Sequence, residues 1–199
     1  MAKIISFEGP IGVGKTTLVN YLAANYNFEK RIEQSQNNPF IDKFYAGEDV
    51  KLETELTFLL LHYSLLKTLI SKPGIILTDF SIEKDLVFAK MNLNKAEFEV
   101  FKNPYDYVIT SVGKPDLVVY LDLPFEKCWQ RIQKRGRLYE VNADPAYFRE
   151  YMERLKSYFM NETKSKVILF DAIFELSSGE TSTEQLPKLR QIIKAAVSL

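Results

Sequence analysis

The sequence predicts a three-layer α/β/α domain built on five parallel strands. Its short apolar runs are continuous rather than alternating, which is the pattern of strands covered on both faces, and helical segments separate them. The first run is closed at once by a glycine-rich turn that leads into a helix. With 199 residues the chain is long enough to bury a full core, so residues 1–199 are read as one domain.

Ile4-Ile5-Ser6-Phe7-Glu8 reads as the first buried strand. Leu18, Val19, Leu22 and Ala23 then recur at helical spacing between Lys15 and about Tyr26. A second strand is expected over Phe28–Glu33, and Asn37-Asn38-Pro39 marks a turn or a helix start. The longest helix is expected over about Leu52–Leu69, apolar on more than one face and therefore buried. Pro73-Gly74 breaks it before a strand at Ile75–Asp79. Two more strands follow at Leu117–Asp122 and Lys166–Phe170, with helices at about Pro124–Arg135, Pro145–Met160 and Thr183–Val197. In such sheets ligands gather at the carboxyl ends of the strands, where Glu8, Glu33, Asp79 and Asp122 all fall.

Composition narrows the partners. The 26 basic and 26 acidic side chains cancel, which argues against a nucleic-acid backbone but leaves room for a local basic cluster facing a small phosphate. The apolar stretches fall short of a membrane span, and no signal peptide precedes Lys3, so no membrane role is expected. The single Cys128 cannot form an internal disulfide, which suits a reducing cytoplasm.

Gly9-Pro10-Ile11-Gly12-Val13-Gly14-Lys15-Thr16, with Thr17 after it, fits the pattern Gly-x-x-x-x-Gly-Lys-Thr. Glycines let backbone N–H groups wrap a phosphate, and the helix that follows adds its positive end. The loop predicts ATP binding, with Lys15 reaching the β- and γ-phosphates and the Thr16 hydroxyl on Mg2+. A glycine-rich turn before a helix is the plain alternative. The loop is silent about the phosphate acceptor.

Arg131-Ile-Gln-Lys-Arg135-Gly136-Arg137 is a second constellation. Arg131 and Arg135 share a helix face, and Gly136 permits a bend before Arg137. Cations at a helix end complement its dipole. Beside a phosphate loop, the same arginines also fit a movable lid that screens a transferring phosphoryl group.

With these segments in view, the chain resembles the deoxynucleoside kinase family, most closely its bacterial deoxyguanosine and deoxyadenosine kinases. The resemblance spans nearly the whole chain. It is carried by Phe-Glu-Gly-Pro-Ile-Gly-Val-Gly-Lys-Thr-Thr from Phe7, Asn-Asn-Pro-Phe-Ile-Asp-Lys-Phe-Tyr from Asn37, Thr-Asp-Phe-Ser-Ile-Glu-Lys-Asp-Leu-Val-Phe-Ala from Thr78, and Arg-Ile-Gln-Lys-Arg-Gly-Arg-Leu-Tyr-Glu from Arg131. Only the first is specific alone; the rest gain weight from their order and spacing.

The resemblance implies the P-loop kinase fold with an arginine-bearing lid over about residues 131–142. It implies transfer of the ATP γ-phosphate to a deoxynucleoside 5′-hydroxyl, with Mg2+ as cofactor, in a homodimer joined through the long helices. Glu33 matches the carboxylate that accepts the hydroxyl proton, and Asp79 the acid that helps to hold magnesium. Asp85 and Phe88 match positions that bond and stack on the base, and Glu140 a contact to the sugar 3′-hydroxyl. Arg131, Arg135 and Arg137 match the lid, while Phe44, Tyr45, Phe58 and Phe80 join the substrate-contacting set. Phosphoryl transfer needs in-line positioning, charge neutralisation and a proton acceptor, which these residue types supply. Glu33 also reads as an exposed strand-end acid, and Phe88 as core.

Two segments depart from the family pattern. Asp79-Phe80-Ser81 lacks the arginine of an Asp/Glu-Arg-Ser motif, as in the deoxyguanosine branch, and that arginine binds near the 5′-hydroxyl. On the long helix, Glu55 and His62 stand where glutamine and arginine are usual. Glutamine suits adenine or cytosine, whereas an ionised carboxylate only accepts and so suits the two adjacent donors of guanine. A purine deoxynucleoside is therefore expected as acceptor, with deoxyguanosine preferred. Glu55 also reads as a helix-surface acid and His62 as structural. A deoxyadenosine or broad-specificity kinase, a thymidylate kinase and a catalytically silent nucleotide-binding subunit remain open, although Phe80 offers no cation for an acceptor phosphate.

Overall fold

The computed structural model describes residues 2–69, 73–172 and 185–197. Its strands are β1 (Lys3–Glu8), β2 (Glu29–Arg31), β3 (Ile75–Thr78), β4 (Leu117–Asp122) and β5 (Val167–Asp171). All pair in parallel, in the order β2-β3-β1-β4-β5, as the continuous apolar runs predict. In the central strand Ile5 pairs with Leu77 on one side and Leu117 on the other. The second strand is shorter than predicted, so Glu33 lies two residues past its end.

The helices are, in chain order, α1 (Lys15–Tyr26), α2 (Ile41–Tyr45), α3 (Lys51–Lys67), α4 (Ile82–Asn92) and α5 (Lys95–Val112). They continue with α6 (Phe125–Arg135), α7 (Leu138–Val141), α8 (Pro145–Ser157) and α9 (Gln185–Val197). Residues 183 and 184, where the last helix is expected to begin, lie outside the described residues. Asn37-Asn38-Pro39 is a single 3-10 turn over Ser35–Asn37 followed by the short α2.

Strand alternation divides the core between the two faces. Ile5, Phe7, Leu77, Val119 and Leu121 pack with Leu18 and Leu22 of α1, Cys128 of α6 and Leu189 and Ile193 of α9. On the opposite face Ile4 and Ile76 meet Leu59 and Leu66 of α3, Ala89 of α4, and Phe101 and Val108 of α5. Val118 and Tyr120 meet Tyr151 and Leu155 of α8. Helices thus cover both faces.

The sequence predicts no element where α4 and α5 lie. A capping box opens α5: Asn94 accepts from the Glu97 amide, and the Glu97 side chain accepts from the Asn94 amide. The interior Pro104 obscures the helical pattern that follows. In α4 the obstacle is burial of charge, since Glu83, Lys84 and Asp85 are all buried beside Ile82 and Val87. Glu83 accepts hydrogen bonds from the hydroxyls of Tyr158 (3.2 Å), Thr163 (2.6 Å) and Ser165 (2.7 Å). Those bonds fasten α4 to the π-helical turn Tyr158–Glu162 that ends α8. They fix the orientation of Lys84 and Asp85.

Candidate active site

A cavity of about 930 Å3 opens at the carboxyl ends of the strands, lined by residues from the phosphate loop, β2 and β3 ends, α3, α4 and the α6–α8 segment. Of the four strand-end acids, Glu33 and Asp79 line it. Glu8 is fully buried outside the lining, where burial pushes its carboxyl up to about 7 although Lys84 and Lys15 pull it down. Asp122 turns away to Lys156, 2.7 Å distant.

At one end the loop holds Ile11, Gly12, Gly14, Lys15, Thr16 and Thr17 against the cavity. Gly9, Pro10 and Val13 do not line it, and the Val13 side chain is buried in the core. Gly12 must be glycine: its φ is +84° and a Cβ there would sit 2.6 Å from the Cys128 carbonyl oxygen. The Lys15 ammonium donates to the carbonyls of Gly9 (2.8 Å) and Pro10 (3.0 Å). The Thr16 hydroxyl donates to Asp79 Oδ2 at 2.5 Å, and Asp79 Oδ1 accepts the Glu33 amide at 2.7 Å. One carboxylate therefore ties the start of α1 to the residue that follows β2.

Glu33 is the meeting point of two cationic side chains. Lys84 Nζ lies 2.6 Å from Glu33 Oε1, and His62 Nε2 lies 2.9 Å from the same oxygen. The other nitrogen of His62 bonds both oxygens of Asp85, at 3.0 and 2.8 Å. Burial alone would lower the His62 pKa, but Asp85 and then Glu33 overcome it and raise it to about 9. The ring is thus an imidazolium that donates from both nitrogens. Burial would raise the Glu33 carboxyl; Lys84 and His62 outweigh it and hold the group well below the usual carboxylate range.

This arrangement revises several sequence expectations. Phe80 does not reach the cavity: it is fully buried and its ring stacks on His62, with centroids 4.4 Å apart. His62 is more than structural packing, because it couples Glu33 to Asp85. Asp85 lines the cavity but is committed to His62, so it is not a free base-binding acid. Lys84 escaped the sequence reading altogether. The available signal was a lone lysine four residues after the aromatic that replaces the motif arginine, on the same helix face as Val87 and Phe88.

On the α3 wall of the cavity Glu55 is only 3% exposed, not a surface acid. Its Oε1 accepts from Asn92 Nδ2 at 2.7 Å, and the same amide donates to the Tyr147 hydroxyl at 3.2 Å. Burial first, with the Asp85 charge adding to it, pushes the Glu55 carboxyl up to about 8 despite the Asn92 bond. Neither Asn92 nor Tyr147 was marked by any sequence motif. Phe88 lines the cavity half-buried, its ring backed by Tyr151 at 4.0 Å. Phe44, Tyr45 and Phe58 line it as well.

Arg131, Arg135, Arg137 and Glu140 complete the wall. Arg131 donates to the Val13 carbonyl (2.8 Å), which anchors α6 to the phosphate loop. Gly136 ends α6 in the left-handed region, as the bend requires. Arg135 and Arg137, on either side of it, both pair with the buried Glu140. Arg137 also approaches the Ser35 hydroxyl at 3.5 Å.

A phosphate loop opening a helix beside a carboxylate-lined cleft at the switch edge of a parallel sheet defines a P-loop phosphotransferase. The family model for deoxynucleoside kinases matches residues 5–194, so the chain belongs to the deoxynucleoside kinase family of ATP-dependent phosphotransferases. It is 30% identical over 154 residues to the deoxyguanosine kinase of Bacillus subtilis (strain 168), covering 75% of this chain and 74% of that protein. It is 28% identical over 193 residues to the deoxyadenosine/deoxycytidine kinase of the same organism, covering 92% and 89%. The fold matches the M. mycoides deoxyadenosine kinase solved with bound dATP, with a TM-score of 0.78, 18% identity and coverage of 96% of this chain and 99% of that one.

Proposed function

We propose that this kinase transfers the ATP γ-phosphate to the 5′-hydroxyl of a purine deoxynucleoside, with deoxyguanosine preferred. The observation that carries the reading is Glu55, a buried carboxyl that lines the same cavity as the phosphate loop and is braced by Asn92. In its ionised form it accepts twice, matching guanine N1–H and the 2-amino group. Phe88, backed by Tyr151, supplies a flat apolar face for the base. Glu33 accepts the 5′-hydroxyl proton, Lys15 steadies the donor phosphates, and Glu140 receives the sugar 3′-hydroxyl. Arg135 and Arg137 close over the reacting phosphoryl as a lid across about residues 131–142, exchanging Glu140 for phosphate oxygens.

The Thr16 hydroxyl and Asp79 carboxylate are adjacent hard oxygen donors, a set that fits Mg2+. Such an ion would neutralise charge on the donor phosphates. Measuring kcat/KM for the four deoxynucleosides with ATP at about pH 9, where Glu55 is ionised, tests the reading: deoxyguanosine should lead and deoxyadenosine follow. A deoxycytidine or thymidine preference would sink the base assignment, and an inert wild type would favour a silent nucleotide-binding subunit. The raised pKa of Glu55 favours deoxyadenosine as second substrate, since a protonated carboxyl both donates and accepts.

We place the enzyme in a reducing cytoplasm as one domain. Its cysteine is buried, and among the described residues no helix is long and apolar enough to cross a membrane. A homodimer through α3 and α5 is supported by Leu60, Val100 and Tyr107, which are 56%, 54% and 64% exposed there. Sedimentation equilibrium should give twice the chain mass; a monomer at micromolar concentration would remove this interface.

A further inference from the structure

We propose that Lys84 is a catalytic residue of the transfer, placing on α4 the cation that position 80 does not provide. The assignment rests on the kinase reading above. Lys84 is a cavity-lining residue although only 5% exposed. Its ammonium sits on the carboxylate that faces the acceptor hydroxyl, at 2.6 Å. It shares the cavity wall with Lys15 and Asp79. A buried lysine is costly to keep, and Glu33 already has His62 as a cationic partner. His62 is shared with Asp85, and of the two cations on this Glu33 oxygen it is Lys84 that lines the cavity.

The surroundings show why position 80 cannot serve. Phe80 is fully buried with its ring against His62 and does not line the cavity, whereas Lys84 does. Four residues later along α4, Lys84 starts one turn further on and reaches back to the cleft. Burial first, and then the Lys84 charge, lower the Lys15 pKa, and phosphate oxygens in the cavity that both side chains line would relieve that repulsion.

The charges move as follows. The acceptor 5′-oxygen forms a bond to the γ-phosphorus, and the bond from that phosphorus to the β,γ-bridging oxygen breaks. ADP leaves with the electron pair, and the hydroxyl proton passes to Glu33. A neutral Glu33 is still an acceptor but holds the ammonium less tightly, so Lys84 can share its charge with the equatorial oxygens of the phosphoryl group as the proton arrives. The cation becomes available when charge has to be stabilised, which is differential stabilisation of the transition state.

The test is steady-state kinetics of Lys84→Met, Lys84→Arg and Lys84→Ala with ATP and deoxyguanosine. Lys84→Met should lose about 100-fold or more in kcat with KM for the nucleoside changed less than about threefold. Lys84→Arg should stay within about tenfold of wild type, and ethylammonium should restore part of the Lys84→Ala rate. A Lys84→Met enzyme with wild-type kcat would overturn the assignment while leaving the kinase reading intact. So would a folded Lys84→Arg as inactive as Lys84→Met, together with no rescue by the amine. Wild type inert towards all four deoxynucleosides would overturn both.

Discussion

The Glu33→Gln variant should bind ATP and deoxynucleoside with Kd within about threefold of wild type, while kcat falls by roughly 10²–10⁴-fold. Glutamine keeps a carbonyl oxygen for Lys84 and His62 to donate to, so the cleft retains its shape. The side chain of Glu33 is 22% exposed, but its partners Lys84 and His62 are only 6% and 1% exposed, so loss of the carboxylate charge should lower the melting temperature without unfolding the enzyme at about 25 °C. What glutamine cannot do is take the hydroxyl proton. The pH dependence follows from the sign of the shift. Because Lys84 and His62 hold the Glu33 pKa well below the usual range against the opposing effect of burial, the carboxylate stays ionised until the solution is strongly acid. Wild-type kcat should therefore show no acid limb from this group between about pH 5.5 and 8. Isothermal calorimetry beside a coupled ADP assay separates the two effects. A variant with kcat within about tenfold of wild type would mean that the proton leaves by another route.

Most of the frame was legible because strands buried on both faces carry an unmistakable apolar run. Lys3–Glu8 and Leu117–Asp122 are such strands, and the loop after the first follows the Gly-x-x-x-x-Gly-Lys-Thr spacing. Legibility failed where burial and charge coincide. In α4 the helical stripe is interrupted by Glu83, Lys84 and Asp85, whose burial depends on partners from elsewhere in the chain. Sequence spacing shows that His62 and Asp85 lie 23 residues apart but not that their side chains meet at 2.8 Å. Asn92 was invisible for the same reason, since its role arises from α4 ending beside α3. The capping box at Asn94 and Glu97 was a signal in plain sight, outweighed by Pro104.

Two of the family departures, Phe80 and His62, belong to one rearrangement. An arginine at 62 would reach Asp85 with a fork of donors, while the shorter imidazole needs a flat support to stand between two carboxylates. Phe80 and Phe58 provide it, with ring centroids 4.4 and 5.9 Å from that of His62. Both oxygens of Asp85 are taken up by His62, which leaves Glu55 as the carboxyl that the proposed base reading relies on. On that proposal, specificity follows the protonation state of Glu55.

Glu55→Gln should accordingly lower the deoxyguanosine-to-deoxyadenosine ratio of kcat/KM by about 10–100-fold at pH 9, and by less at pH 7. Burial, reinforced by Asp85, raises the wild-type pKa to about 8, so the protonated form prevails at neutrality and the charged form above it. Protonated, the carboxyl donates once and accepts once, which matches adenine N1 and its 6-amino group, or guanine N1–H and O6. Ionised, it presents only lone pairs; guanine still satisfies them with two donors, whereas adenine N1 faces a like lone pair. Deoxyadenosine turnover in the wild type should therefore fall as pH rises through about 8, with deoxyguanosine turnover holding. A glutamine amide keeps one donor and one acceptor at every pH, so the variant should treat the two purines alike across the range. If Glu55→Gln leaves the purine ratio and its pH dependence as in wild type, base selection does not pass through this residue, and the bond from Asn92 serves packing alone.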